Sequence, residues 1–340
     1  MAPTRIPLIF GTMTMGTTPG ARNKDPKISC FFSVVPYKAY SPRPQECQTI
    51  LDVFFNLGHR ELDTARVYCG GTTEELLGTL DLRDATLDTK VHPICPGGHE
   101  PKALRASSQQ CLKALRRDKV RVLYLHAPDR KVPFEETCAE MNKLYQEGLF
   151  ETFGLSNFAA WEVAEVVGIC KANGWVQPKI YQVMYNAITR AMEPELLPCC
   201  RKFGLRIVCY NPLAGGFFAG KITSTAETGA AGGRFDPNSP SGKMYRERYV
   251  NEGYVNALAF LKGVAAKNNL SLIEIALRWM QHHSKLTPED GVILGASSAA
   301  QLEENCKASD KGPLPDEVVN ALDEAYQIVL RHGGEPPYWR

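Results

Sequence analysis

Short apolar runs recur along this chain, and most of them close on a polar side chain. Asp63 follows Arg60-Glu61-Leu62, Lys90 follows Thr86-Leu87-Asp88-Thr89, and His126 closes Val122-Leu123-Tyr124-Leu125. Ser156-Asn157 close Thr152-Phe153-Gly154-Leu155, Gln182 lies within Ile180-Tyr181-Gln182-Val183, and Tyr210-Asn211 follow Ile207-Val208-Cys209. Segments of helical period separate most of these runs. Strands that each deliver a polar residue at the carboxyl end suit one arrangement best. It is an α/β fold of the (β/α)8 TIM-barrel kind, with its active site on the C-terminal face of the strands.

The intervening segments agree with that reading. Pro7-Leu8-Ile9-Phe10-Gly11 reads as the first strand and Gly291-Val292-Ile293-Leu294-Gly295 as the eighth. A helix is expected over 45–57, with Ile50, Leu51, Phe54 and Phe55 on its buried side and Gly58 as its stop. Others are expected over 74–80, 101–117, 135–147, 160–173 and 194–203, with Gly148, Gly174 and Gly204 at C-cap positions. A Rossmann sheet is the alternative, but it needs a Gly-x-Gly-x-x-Gly turn after the first strand. Gly11, Gly16 and Gly20 lack that spacing. The span 1–340 is therefore read as a single barrel domain.

Composition removes several function classes. Thirty-nine basic against 37 acidic residues give no electrostatic case for nucleic acid or an anionic membrane as partner. No run of ~18 apolar residues suggests a membrane span. Met1-Ala2-Pro3-Thr4-Arg5 leads straight into the first strand without a secretory apolar region, so a cytoplasmic location is expected. The 11 cysteines are scattered, mostly inside apolar runs, and include no Cys-x-x-Cys pair. Reduced, packed thiols are expected, and no metal set is assigned. His282-His283 ends an amphipathic segment without partner ligands and reads as solvated or capping.

Two segments interrupt the alternation. The first, 17–44, carries Pro19, Pro26, Pro36, Pro42 and Pro44 around an aromatic stretch, where a strand-to-helix loop ordinarily takes about 2–6 residues. It reads either as an enlarged lid over the active face or as a retained intron. The second, 212–250, is rich in Gly, Ser, Thr and Pro and reads as a covering loop.

Asp63-Thr64-Ala65-Arg66-Val67-Tyr68, Lys90 and His126 resemble the Asp-Tyr-Lys-His tetrad of the aldo-keto reductases. Gly154-Leu155-Ser156-Asn157-Phe158, Tyr185 to Arg190, Asn211 to Gly216 and Gly295 to Asn305 narrow the resemblance to the aflatoxin-aldehyde (succinic semialdehyde) reductase branch. It covers nearly the whole chain apart from 17–44. It implies that Ser156, Asn157 and Gln182 hold the nicotinamide carboxamide of NADPH (NADP+) and that Tyr210 stacks on the ring. It further implies that a belt including Asn211, Pro212, Leu213, Gly215 and Lys221 crosses the pyrophosphate. Ser297, Gln301, Glu304 and Asn305 would then grip the adenosine end, with Arg234 on adenine or the 2′-phosphate. Gln301 and Gly295 stand where many members carry arginine and lysine, changes this branch shares while still preferring NADPH. Met13 and the terminal Arg340 are implied to contact substrate, Arg340 through an acidic group. The branch commonly forms homodimers.

The chemistry explains the residue types. Carbonyl reduction takes a hydride on carbon and a proton on oxygen. A phenol with a reference pKa near ~10 donates poorly at neutral pH. A neighbouring ammonium favours phenolate; Lys90, held by Asp63, would do this for Tyr68, the expected general acid. A neutral His126 would orient the carbonyl oxygen, which argues for small-molecule aldehydes or ketones as substrates. Two other readings stay open: a cofactor-binding regulatory module resembling channel β-subunits, and a dedicated reductase of a secondary-metabolite pathway.

Overall fold

Eight parallel strands close on one another in chain order. The computed structural model describes residues 4–16, 44–94, 97–230 and 233–339. Nearly all of the 17–44 segment, and Arg340, lie outside the described residues. The strands are β1 (Leu8–Gly11), β2 (Glu61–Asp63), β3 (Thr86–Val91), β4 (Val120–Leu125), β5 (Phe150–Ser156), β6 (Pro178–Met184), β7 (Arg206–Tyr210) and β8 (Gly291–Leu294). Register aligns their polar ends: Gly11 faces Asp63, Lys90 faces Tyr124, Ser156 faces Gln182 and Met184 faces Tyr210.

A strand's side chains alternate between two faces, and the sequence obeys that alternation closely. Leu62, Leu87, Leu123, Leu125, Phe153, Leu155, Val183, Ile207 and Val292 point outward into the main core beneath the helices. Ile9, Val122, Tyr124, Ile180, Val208 and Ile293 form a separate cluster inside the barrel. The glycine at 154 is required there. A Cβ on it would stand 2.4 Å from Cδ1 of the Tyr124 ring, so β5 yields its side chain to the tyrosine of β4.

The outer layer follows the expected helices with ends displaced by a few residues, as frayed helix ends commonly are. They are α1 (Pro44–Asn56), α2 (Thr72–Leu77), α3 (Pro101–Leu115), α4 (Phe134–Gln146), α5 (Ala160–Ala172) and α6 (Leu196–Phe203). Beyond β7 come α7 (Pro240–Tyr249), α8 (Glu252–Lys267), α9 (Leu272–His282), α10 (Ala299–Asp310) and α11 (Asp316–Arg331). The 212–250 segment is thus partly helical: a 3-10 turn spans Ala214–Ala219, and α7 opens on Ser239, whose side chain accepts from the Gly242 amide at 3.0 Å. His282 and His283 serve the chain's own backbone. The first meets the Lys311 carbonyl at 2.7 Å and the second accepts from the Leu314 amide at 2.9 Å. All described cysteines are free thiols, and all but Cys199 are buried. No described helix is long and apolar enough to cross a membrane.

Candidate active site

The strand ends meet around a cavity of about 630 Å³, within the range of small-molecule sites. Asp63 ends β2, and Lys90 lies one residue before the end of β3, wholly buried. The Lys90 ammonium donates to both Asp63 oxygens at 2.7 Å, to the Thr64 carbonyl at 2.8 Å and to the Tyr68 hydroxyl at 3.2 Å. Three protons are shared among four oxygens. The Tyr68 oxygen accepts from lysine, and Tyr68 lines the cavity. Burial depresses the Lys90 pKa, and Asp63 opposes that shift.

Tyr68 opens a 3-10 turn, Tyr68–Gly71, beside His126. The His126 ring meets the Tyr68 ring edge-on at 6.0 Å and the His92 ring at 5.2 Å. Burial, then the neighbouring His92 and Lys90, hold its pKa well below the ordinary imidazole value, so it is neutral at physiological pH. Its Nδ1 is buried without a partner, and the residue lines the cavity.

The rest of the wall ties several strands together. Asn157, at φ 62°, donates to the His126 carbonyl at 2.8 Å and to Ser156 Oγ at 3.0 Å, and accepts from the Tyr210 hydroxyl at 3.1 Å. Gln182 donates through Nε2 to Asp63 at 2.8 Å, which leaves its carbonyl oxygen as the free end of that amide. Asn211 donates to the Tyr249 hydroxyl at 3.2 Å.

The far end of the cavity is cationic and shaped by left-handed backbone. Asn211, Ala214, Gly215 and Gly216 have φ of 60°, 49°, 68° and 98°. A Cβ on Gly215 would press to 2.6 Å against the Tyr245 ring, and only glycine meets that turn without strain. Lys221, Arg234 and Arg248 line this end; the Arg234 guanidinium lies 5.1 Å over the Tyr245 ring. Ser297 and Gln301 border it at the start of α10, where the Ser297 amide and hydroxyl both donate to the Gln301 side-chain oxygen Oε1, at 2.8 and 3.0 Å.

Most sequence-assigned residues therefore meet in one cavity: Met13, Asp63, Tyr68, His126, Ser156, Asn157, Gln182, Tyr210 to Leu213, Gly215, Lys221, Arg234, Ser297 and Gln301. Lys90 acts from behind it. Glu304 is exposed and does not line it. Asn305 is buried with both side-chain polar atoms lacking partners, and it does not line the cavity either. The cationic belt of Lys221, Arg234 and Arg248 fits an anionic dinucleotide lying across the strand ends. Sequence reasoning passed over His92, Thr14 and Arg248, which also line the cavity. His92 was legible, since it follows Lys90 by two residues and alternation returns it to the same face.

Comparison with known proteins supports the geometry. The aldo/keto reductase family model matches residues 7–327. The chain is 42% identical to aflatoxin B1 aldehyde reductase member 2 of Mus musculus, covering 100% of this chain and 89% of that protein. It is 43% identical to aldo-keto reductase family 7 member A3 of Homo sapiens, over 84% of this chain and 90% of the relative. To aldo-keto reductase pigE of Monascus ruber it is 41% identical, over 87% and 90%. A closed barrel, an Asp63-Lys90-Tyr68 contact at its C-terminal face and these matches converge on one conclusion: the chain is an oxidoreductase that belongs to the aldo/keto reductase family.

Proposed function

We propose that this protein reduces aldehydes, including dialdehydes, semialdehydes and aromatic aldehydes, to alcohols with NADPH, and that Tyr68 is the general acid. The observation that carries the reading is the 3.2 Å contact between the Lys90 ammonium and a tyrosine hydroxyl that faces the cavity. The dinucleotide, when bound, supplies the hydride. Tyr68 donates the proton that the developing alkoxide requires, and the ammonium favours the phenolate left behind. Neutral His126 orients the carbonyl oxygen by a hydrogen bond. Ser156, Asn157 and the Gln182 oxygen would fix one face of the nicotinamide, with Tyr210 as its stacking partner. Lys221, Arg234 and Arg248 supply the positive charge that favours NADPH over NADH.

The tail supports a substrate role for its last residue. Glu335 accepts from the Arg190 amide and from the Tyr326 hydroxyl, and the Tyr338 hydroxyl accepts from the Ala160 amide at 3.1 Å while donating to Glu195 at 2.5 Å. Trp339 lies under the Arg130 guanidinium, on the loop that follows His126. Arg340 is assigned to the acidic group of a carboxylate-bearing aldehyde. A cytoplasmic location suits a reductase of this kind.

The test is steady-state oxidation of NADPH against a panel of aldehydes. Tyr68→Phe is expected to lower kcat by about 10²–10⁴-fold while NADPH affinity stays near wild type. Unchanged turnover in that variant would refute the assignment of the acid.

A further inference from the structure

A second buried ionic contact lies behind the catalytic corner, unused by proton transfer. Glu74 sits in α2, just after the Tyr68–Gly71 turn, and is fully buried. One of its oxygens accepts from Thr89 Oγ1 at 2.5 Å, and the other from Arg66 Nη1 at 3.3 Å. Thr89 is the residue before Lys90, and it points out of the barrel as Lys90 points in. Arg66 lies between Asp63 and Tyr68; its amide donates to the Lys90 carbonyl at 3.2 Å and its guanidinium to the Gly71 carbonyl at 2.7 Å.

The turn held in this way is not self-supporting. Cys69, Gly70 and Gly71 are successive left-handed residues, at φ 46°, 69° and 88°. A Cβ on Gly71 would stand 2.8 Å from Arg66 Nη1, so the guanidinium lies against the turn and braces it. Backbone in this region persists where surrounding contacts over-determine it. A buried carboxylate is itself costly, and burial raises the Glu74 pKa against the pull of Arg66; besides the Cys111 thiol, its oxygens meet the strand that carries the lysine and the turn that carries the tyrosine.

We propose that Glu74 is a positioning residue for the general acid: by holding Thr89 and Arg66 together, it sets the separation of the Lys90 ammonium and the Tyr68 hydroxyl. This rests on Tyr68 being the acid. Loosening the clamp lengthens that contact, weakens the ammonium's hold on the phenolate and raises the phenol's apparent pKa. In the reductive direction the alkaline fall in kcat reports that pKa.

The experiment is a pH–rate profile of the full chain with saturating NADPH for wild type, Glu74→Gln, Thr89→Val, Tyr68→Phe and Asp290→Asn. Asp290 pairs with Arg201 at the opposite end of the barrel and controls for lost stability alone. Glu74→Gln is expected to lower kcat near neutrality by about ten-fold and to move the alkaline limb upward, with little change in KM for NADPH. Thr89→Val is expected to do the same to a smaller extent and stands in if Glu74→Gln does not fold. Asp290→Asn should lower the unfolding temperature and leave the limb in place. A limb at the wild-type pH in both Glu74→Gln and Thr89→Val, with turnover lost in Tyr68→Phe, sinks the positioning role alone. Full turnover in Tyr68→Phe sinks both it and the acid assignment.

Discussion

Two buried clusters of charge occupy the same strands, two residues apart, and they are wired differently. At the N-terminal end, Arg121 gives Nε and Nη2 to the two oxygens of Asp88 at 2.8 and 2.6 Å, and Nη1 to Glu61 at 2.6 Å. Arg206 completes Glu61 at 3.0 and 3.3 Å. At the C-terminal end stand Asp63 and Lys90, inward-facing neighbours of Glu61 and Asp88 by the strand's period of two. Both clusters are built on carboxylates, but the reactive one is the more deeply buried and its cation differs. A guanidinium fork saturates carboxylate oxygens and has nothing left for chemistry. An ammonium is a point charge with protons to share, and here one reaches a phenol on the cavity wall. One end of the barrel is closed by its ions, while at the other an ammonium shares a proton with a hydroxyl on the cavity wall.

That contrast can be attacked from both ends. The largest effect is expected at the reactive end: Lys90→Met should reduce kcat by about 10²–10⁴-fold. It should also cost about 3–5 kcal/mol of stability, because Asp63 keeps Gln182 but loses its counter-charge. Steady-state kinetics and denaturant unfolding on one preparation check both figures, and wild-type turnover would erase the distinction between the clusters. Arg121→Met at the closed end should cost a similar ~3–5 kcal/mol while leaving kcat near wild type wherever the protein is folded. A collapse of turnover without a loss of stability would mean that the two ends are functionally linked.

A smaller effect sharpens the picture in acid. Burial holds His59, His92 and His99 at about 4, against an ordinary value of 6.5. Between those values the unfolded chain binds protons that the native state refuses, so stability falls as pH drops from 6.5 toward 4, by up to ~1.4 kcal/mol per pH unit for each group. Asp88, which burial pushes up to about 6, and Glu74 and Glu335, which burial also raises, work in the opposite sense, while His126, His283, Glu61 and Asp290, shifted downward, add to the three histidines. Denaturant midpoints across this window are expected to decline with falling pH; a flat response would show that these rings are not buried as neutral groups.

The barrel was legible because its signal is repeated: each inward polar residue sits where strand alternation and strand end coincide, and that coincidence at Asp63, Lys90, His126, Ser156 and Gln182 leaves little choice of fold. The cavity was legible for the same reason. What sequence concealed was local. The helix at Pro240–Tyr249 has a polar, glycine-containing sequence with no apolar stripe, and only the Ser239-Pro240 start announces it. Asn157 lines the cavity, and its amide also ties His126, Ser156 and Tyr210 together, contacts that no linear spacing reveals. The Thr89–Glu74–Arg66 clamp escaped because it lies on the outward face, where polar residues pass for surface.

Tyr124 and Gly154 divide one fixed volume between two neighbouring strands. Lys90 rests 5.9 Å above the tyrosine ring, so that ring is the floor of the corner that holds Lys90, and it is wholly buried. Neither position gains an atom unless the other gives one up. A smaller side chain at 124 would admit water under the ammonium, raise the local dielectric and blunt every charge the corner depends on. The packing beneath the Lys90 ammonium thus hangs on a missing methyl group one strand away.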